Sequence, residues 1–381
     1  MARTTEIIPL MSPAPGTSRH LKVHRYGTPA VGPKAYLHSS LHADEWPGLL
    51  TLHHLMVMLD KADLEKRITG EIVLLPFANP IGLSQRVNGS VLGRFNLDGS
   101  GNFNRGWPSL TEDIISNLEE QLGDDPAANV DMMRNALREA VANLPRESEI
   151  TQLQAQLLSL SIDADIVLDL HCDSIATLHV YANQVHEDEA MLLAAELGSP
   201  VVLLEEAPGG GPFDEANHAP WIKTRDQLNL GEALPAACFS TTVELRGSHD
   251  VNDEYAKADA DALLRFMMRK GVVEGDPGPA PAPACKATPL DGVDMVKSPG
   301  TGLVAWQCQI GEFVNKGDVI AELVDIEAED PATARTPIRT ETSGVLFARK
   351  ATTLIRSGDN LCKIAGSEKL ASRQSGPLLS P

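Results

Sequence analysis

The chain has 381 residues, 43% of them hydrophobic and 22% charged, with a formal net charge of -20. That length exceeds one typical domain and predicts a large and a small unit, while the acidic balance argues against nucleic acid or an anionic membrane as partner, since both would repel it. No apolar run is long enough to span a bilayer, and the N-terminal "MARTTEIIPLMSP" lacks the apolar core of an export signal, so a cytoplasmic location is expected. Cys172, Cys238, Cys285, Cys308 and Cys362 are scattered with no CxxC pair, which points to neither a disulfide framework nor a thiolate zinc site.

Taken in chain order, short apolar runs alternate with amphipathic ones over the first 270 residues. Residues 35–41, 71–78, 164–171, 177–182, 200–206 and 238–245 read as buried strands. Residues 48–67, 111–122, 127–142, 148–161, 187–197 and 253–270 carry helical spacing, some behind Thr, Ser or Asp capping candidates. This alternation predicts an α/β domain around a mostly parallel or mixed sheet, over residues 1–273. The Pro/Ala-rich stretch 274–290 predicts an extended linker. Residues 291–366 are short strands punctuated by Gly and Gly-Asp turns, a small all-β unit, and 367–381 read as a disordered tail.

In an open α/β sheet, functional groups gather where loops leave the carboxyl ends of the strands. After the first predicted strand stands "HADE", with His42 and Glu45 three apart; His171 stands near the end of "IVLDLHCD" and Glu244 near the end of "CFSTTVELRG". Two histidines and a glutamate are the ligand set of a catalytic zinc that keeps a fourth position for water, and a further glutamate is the usual base beside it. Each residue alone also fits a structural role. His42 and Glu45 sit where an ordinary helix begins, His171 fits a satisfied core histidine, and Glu244 fits a partner for Arg246 or an exposed sheet edge. Asp169 shares a strand face with His171 and is placed to orient it. The long Gly- and Asn-rich segment 79–108 adds Arg86, Arg94 and Arg105, whose planar forks suit a carboxylate or a developing oxyanion, or else ordinary surface ion pairs.

Four motifs in this order, "HADE" (42–45), "NFNRGWP" (102–108), "LDLHCD" (168–173) and "TVELRG" (242–247), resemble the succinylglutamate desuccinylase/aspartoacylase family, itself related to the zinc carboxypeptidases. The resemblance covers roughly residues 30–270. It implies a zinc-carboxypeptidase-like open mixed sheet flanked by helices, with one Zn2+ per chain on His42, Glu45 and His171 and with Glu244 activating water. Asn104 and Arg105 match the pair that holds the substrate carboxylate. Arg94, in "GRFN", matches the carbonyl-polarising arginine at a longer spacing to Arg105 than in aspartoacylase, with Arg86 as competitor. The activity so implied is removal of an acetyl or succinyl group from the amino nitrogen of an amino acid. A zinc carboxypeptidase or amidase acting on small peptides would use the same groups. The family's relation to enzymes acting on N-acetylated diamino acids draws notice to Asp214 and Glu215 in "EAPGGGPFDEANHAPW", candidates for a cationic side chain or else solvated acids of a surface loop.

In the last third, "GEFVNKGDVIAELVD" and "TSGVLFARK" resemble a biotinyl/lipoyl-type barrel-sandwich domain. Such carriers need a modifiable lysine, and none lies between Lys316 and Lys350. A carrier or binding protein built on this unit is therefore disfavoured against a cap that shields the catalytic cleft or joins subunits of a homo-oligomer. The expected partner is a small-molecule N-acyl amino acid.

Overall fold

A computed structural model describes residues 3–99, 101–206 and 209–371. Its centre is a mixed nine-stranded sheet. Three adjacent strands, Lys34–Ser39, Ile166–Asp173 and Phe239–Gly247, run parallel, with 166–173 in the middle. On one side Glu71–Leu75 continues the parallel run, followed by two antiparallel strands, Arg19–Gly27 and Thr4–Leu10. On the other side His179–Asn183 runs antiparallel to 239–247, so the sheet changes direction beside Glu244, and Val201–Glu205 follows.

The central strands are rich in Ile, Val and Leu and nearly wholly buried because both their faces are covered. Leu52, Leu55 and Leu59 of the helix Pro47–Leu64 pack on one face with the helices Glu187–Leu197 and Asp253–Arg269. The other face takes Met133 and Leu137 of Pro126–Ala142, Leu153 and Leu157 of Glu149–Ser161, and Phe213 and Trp221 of Phe213–Gln227. All six predicted strands and all six predicted helices are present, with shifted ends. The two N-terminal strands and the helix 213–227 were not anticipated; that helix is buried on most sides and contains Pro220, which together hide its period.

The C-terminal unit is β-rich: a four-stranded sheet and four strands of a second, five-stranded sheet close over Ile320, Leu346, Leu361 and Ile364. It is joined to the catalytic unit by strand pairing in both directions. Ala287–Pro289, inside the proline-rich stretch, adds the ninth strand of the central sheet beside 201–205. Ile175–Ala176, just beyond the 166–173 strand, pairs with Gly344–Arg349 of the C-terminal unit. A small apolar core of Ala176, Val201, Leu203, Val293 and Phe347 seals the seam. The predicted tail falls outside the described residues from 372 onward.

Candidate active site

The three parallel central strands end side by side, and there the predicted residues meet. The chain leaves 34–39 in a tight turn carrying His42, Ala43 and Asp44, then enters the helix at Pro47, in the first-turn position that needs no N–H donor. Gly48 lets that helix lie against the strands: a Cβ there would stand 2.6 Å from Ser39 Cβ and 3.1 Å from Leu170 Cβ. The turn is braced from the long loop, since Ala43 N donates to Gly93 O (3.0 Å), and a Cβ on Gly93 would collide with Asp44 N at 2.3 Å. Gly93 thus brings the following residue, Arg94, onto the His42–Glu45 turn.

His42, Glu45 and His171 are all buried, and one ligand atom from each lies within 4.8 Å of the others. His42 Nδ1 is 3.1 Å from Glu45 Oε1 and His171 Nδ1 is 2.7 Å from Glu45 Oε2. The far ring nitrogens face acceptors: His42 Nε2 is 2.8 Å from Asn102 Oδ1, and His171 Nε2 is 2.8 Å from Asp169 Oδ1. With Nε2–H donated outward, each ring turns its Nδ1 lone pair to the common centre, the tautomer a metal ion requires. The donor set fits a divalent ion, and the group can hold one. Asp169 is the hub behind it. Its carboxylate also accepts from His38 Nε2 (2.7 Å) and Asn104 Nδ2 (3.3 Å), and the Tyr36 hydroxyl is 2.8 Å from His38 Nδ1. Burial alone would raise Asp169 and Glu45, but the histidines facing them outweigh it and hold both carboxylates below their usual range.

Glu244 lies opposite His171 in the strand register and lines the same cavity, about 150 Å³ in volume, as His42, His171, Arg94, Asn104 and Arg105. Its Oε2 is buried with no partner among the described residues. Burial, reinforced by Glu45, pushes its carboxyl up to about 8. The structural pairing with Arg246 does not occur. That guanidinium binds Asp259 at 2.8 and 3.0 Å and covers the Tyr255 ring.

The arginines separate. Arg94 Nη2 donates to Glu45 Oε1 at 2.9 Å and the side chain lines the cavity. Arg105 lines it as well, with Nη1 on Asn104 O (2.6 Å) and a buried Nε that has no partner among the described residues. Arg86 sits exposed in the short strand Arg86–Val87 and is not brought to the cavity. Asn104, expected to hold a substrate carboxylate, reaches the cavity wall with its side chain engaged inward: Nδ2 on Asp169 and Oδ1 accepting from Phe213 N at 2.7 Å. It holds the Asp169 carboxylate that faces His171, and it pins the start of the helix 213–227.

Sequence reasoning missed three features. Asp214 and Glu215 lie in the buried first turn of a helix, not in a surface loop. Asp214 shares the cavity with Glu205, at the end of its strand, and its Oδ1 is buried without a partner among the described residues. Burial pushes Asp214 up to about 7, with Glu205 and Asp169 adding to it and His218 opposing. Lys363, from the strand Asn360–Gly366 of the C-terminal unit, also lines the cavity. The sequence signal for Glu205 was available, since it ends a predicted strand as His171 and Glu244 do. Nothing local marks Lys363.

The profile of the Succinylglutamate desuccinylase/Aspartoacylase catalytic domain matches residues 31–269. The chain belongs to this family. It is accordingly a deacylating hydrolase, as the ordered motifs implied. A curated relative, the N-alpha-acetyl-L-2,4-diaminobutyric acid deacetylase of Halomonas elongata, is 24% identical over 88% of this chain and 82% of its own. Among solved structures, a succinylglutamate desuccinylase/aspartoacylase family protein of Shewanella amazonensis SB2B is 24% identical, covering 95% of this chain and 98% of that one with a TM-score of 0.83. The ectoine utilization protein EutE of Ruegeria pomeroyi, in a product-bound structure, is 18% identical and covers 96% of this chain, with a TM-score of 0.67. These structures share the fold over nearly the whole length, the C-terminal unit included. Among the described residues no helix is long and apolar enough to cross a membrane.

Proposed function

We propose that the chain is a zinc-dependent hydrolase that removes the acyl group, acetyl in the first instance, from the amino nitrogen of an amino acid with a short cationic side chain. One observation carries the chemistry: a buried His42–Glu45–His171 group with the unpaired carboxylate of Glu244 in the same cavity. The three residues would hold the zinc, which would supply Lewis acidity to water and the amide carbonyl. Glu244 takes the water's proton and returns it to the leaving amine; its unpartnered oxygen is free to do both. Arg94, fixed on Glu45, lies beside the metal ligands where negative charge grows on the carbonyl oxygen. Arg105 offers its free Nε–H to the substrate carboxylate, while Asn104 keeps Asp169 and His171 in register.

The cationic side chain follows from the wall made by Glu205 and Asp214. A buried acid with an unmatched oxygen is costly to ionise, and an incoming ammonium group removes that cost. The curated relative's substrate is of this kind. The carboxypeptidase reading is not favoured, because no observation points to a second amino-acid residue beyond the scissile bond. The test is a panel of N-acetyl, N-succinyl and dipeptide substrates on zinc-replete protein, read as amine release. Preference for an N-acetyl diamino acid over N-acetyl-aspartate is expected. Preference for the acidic substrate, or hydrolysis of dipeptides alone, refutes the reading.

A further inference from the structure

The catalytic cavity is closed by a side chain from outside the catalytic unit. Lys363 reaches across the seam, and its Nζ donates to Asp173 Oδ2 at 2.5 Å, with only 14% and 20% of the two side chains exposed. Asp173 is the last residue of the strand that carries His171, and its other oxygen is engaged by Ser174 N at 2.7 Å. The partners cannot drift apart easily. Two residues beyond Asp173 the chain pairs with the C-terminal unit (Ile175 with Arg349, Ala176 with Ala348), and Ala348 in turn pairs with Lys363. A contiguous backbone ladder therefore fixes how far the lysine reaches.

What that lysine does follows from the charges around it. Asp173 and Glu244 line one small cavity with Arg94, whose guanidinium is bonded to Glu45 and is attracted by Glu45, Glu244, Asp44 and Asp173. Arg94 also lines a second cavity, of about 410 Å³, whose wall is shared with Asp173 and Lys363. Its guanidinium thus has room to turn toward Asp173. As long as Lys363 occupies Asp173, the guanidinium has Glu45 as its partner. A buried carboxylate stripped of its cation is strongly disfavoured and recruits the nearest one available.

Resting on the reading of the site above, we infer that Lys363 is a positioning residue for the reaction: by holding Asp173 it keeps Arg94 on Glu45, so turnover requires the docked C-terminal unit. The unit is then a component of the active site and more than a cover for it.

The test uses full-length Lys363→Met, Lys363→Arg, Asp173→Asn and the Lys363→Met/Asp173→Asn double variant, each with zinc content measured. Lys363→Met is expected to lose about tenfold or more in kcat with KM little changed and zinc retained, the pattern of an interaction needed in the transition state. Lys363→Arg should restore most of the loss. The double variant should be faster than Lys363→Met alone, because no unpaired carboxylate remains to capture Arg94. Parental kcat in Lys363→Met, or a folded double variant slower than either single one, overturns the proposal. Should Lys363→Met fail to fold, Lys363→Arg and the double variant, which buries no unpaired charge, still decide it. A crystal structure of Lys363→Met, or of Lys363→Arg as its control, reads the same point without turnover. Arg94 is expected to swing from Glu45 to Asp173 in the former only; an unmoved Arg94 overturns the inference. Parental protein that hydrolyses no N-acyl amino acid would instead sink the reading of the site, and the crystal result would still judge Lys363.

Discussion

Two groups of buried charges border one cavity, and they are built in opposite ways. At the strand ends, His42, Glu45 and His171 have every ring nitrogen and both carboxylate oxygens engaged, and Asp169 behind them accepts from three side chains. In the second group, Asp214 keeps a buried oxygen without a partner, and His218 lies 3.3 Å from Glu205 with neither ring nitrogen in a hydrogen bond among the described residues. The first group is preorganised around a small centre, its orientation fixed in advance. The second keeps unmatched polar atoms, which under the proposed function a substrate cation would match. On the proposed function, that difference is the one expected between a place for a resident ion and a place for a substrate.

The largest effects should come from breaking the first group. His171→Ala or His42→Ala removes one of three ligands and is expected to abolish stoichiometric zinc and nearly all turnover, checked by metal analysis on folded protein. Full zinc in both variants would show that the convergence of these residues is structural only. Glu244→Gln leaves shape and ligands intact but cannot take a proton. Turnover should fall by about two to four orders of magnitude with zinc retained.

How much of this was legible in the sequence also follows the contrast. His42, Glu45, His171 and Glu244 could be read because each stands just after an apolar run, where parallel strands deliver their side chains to one edge. The sheet itself was legible for the same reason. The second group was read in part, with Asp214 and Glu215 assigned to a loop, since Pro220 and burial on most sides obscure helical period. The strands 4–10 and 19–27 mix charged with apolar residues at the sheet's margin and gave too weak a pattern. Lys363 was invisible because its importance lies in a contact 190 residues away in sequence, with Asp173. Local patterns do not encode such a meeting.

Breaking the second group should shift choice more than rate. Asp214→Asn is expected to lower kcat/KM for an N-acetyl diamino acid by about tenfold, roughly 1.4 kcal/mol, with a smaller effect on a neutral N-acetyl amino acid. The pH dependence carries a sign. Asp214 titrates at about 7 in the folded chain against 3.8 ordinarily, so between those values the folded state keeps a proton that the unfolded state has lost. Its contribution to the stability of the substrate-free protein therefore falls as pH rises through that window. Affinity for the cationic substrate moves the other way, rising as Asp214 ionises through about pH 7. Denaturant unfolding and 1/KM across this range should both lose that component in Asp214→Asn. A variant that keeps both slopes would show that another group sets them.

The smallest effect tests the boundary of the site and the choice left open between two arginines. Arg94 stands just before the two-residue strand Phe95–Asn96, where Gly93 lays it against the Ala43–Asp44 backbone, and its guanidinium reaches Glu45. Arg86 lies eight positions earlier in the same loop, in a two-residue strand paired with Ser90–Val91, and its side chain is exposed. An exposed charge outside the cavity has water as its main partner, so removing it costs little. Arg86→Ala should leave kcat/KM within about twofold of the parent. Arg94→Ala, measured in parallel, should cost about two orders of magnitude or more, the scale of a lost oxyanion donor. Equal losses in the two variants would mean that the loop closes over substrate in an arrangement different from this one, bringing Arg86 inward.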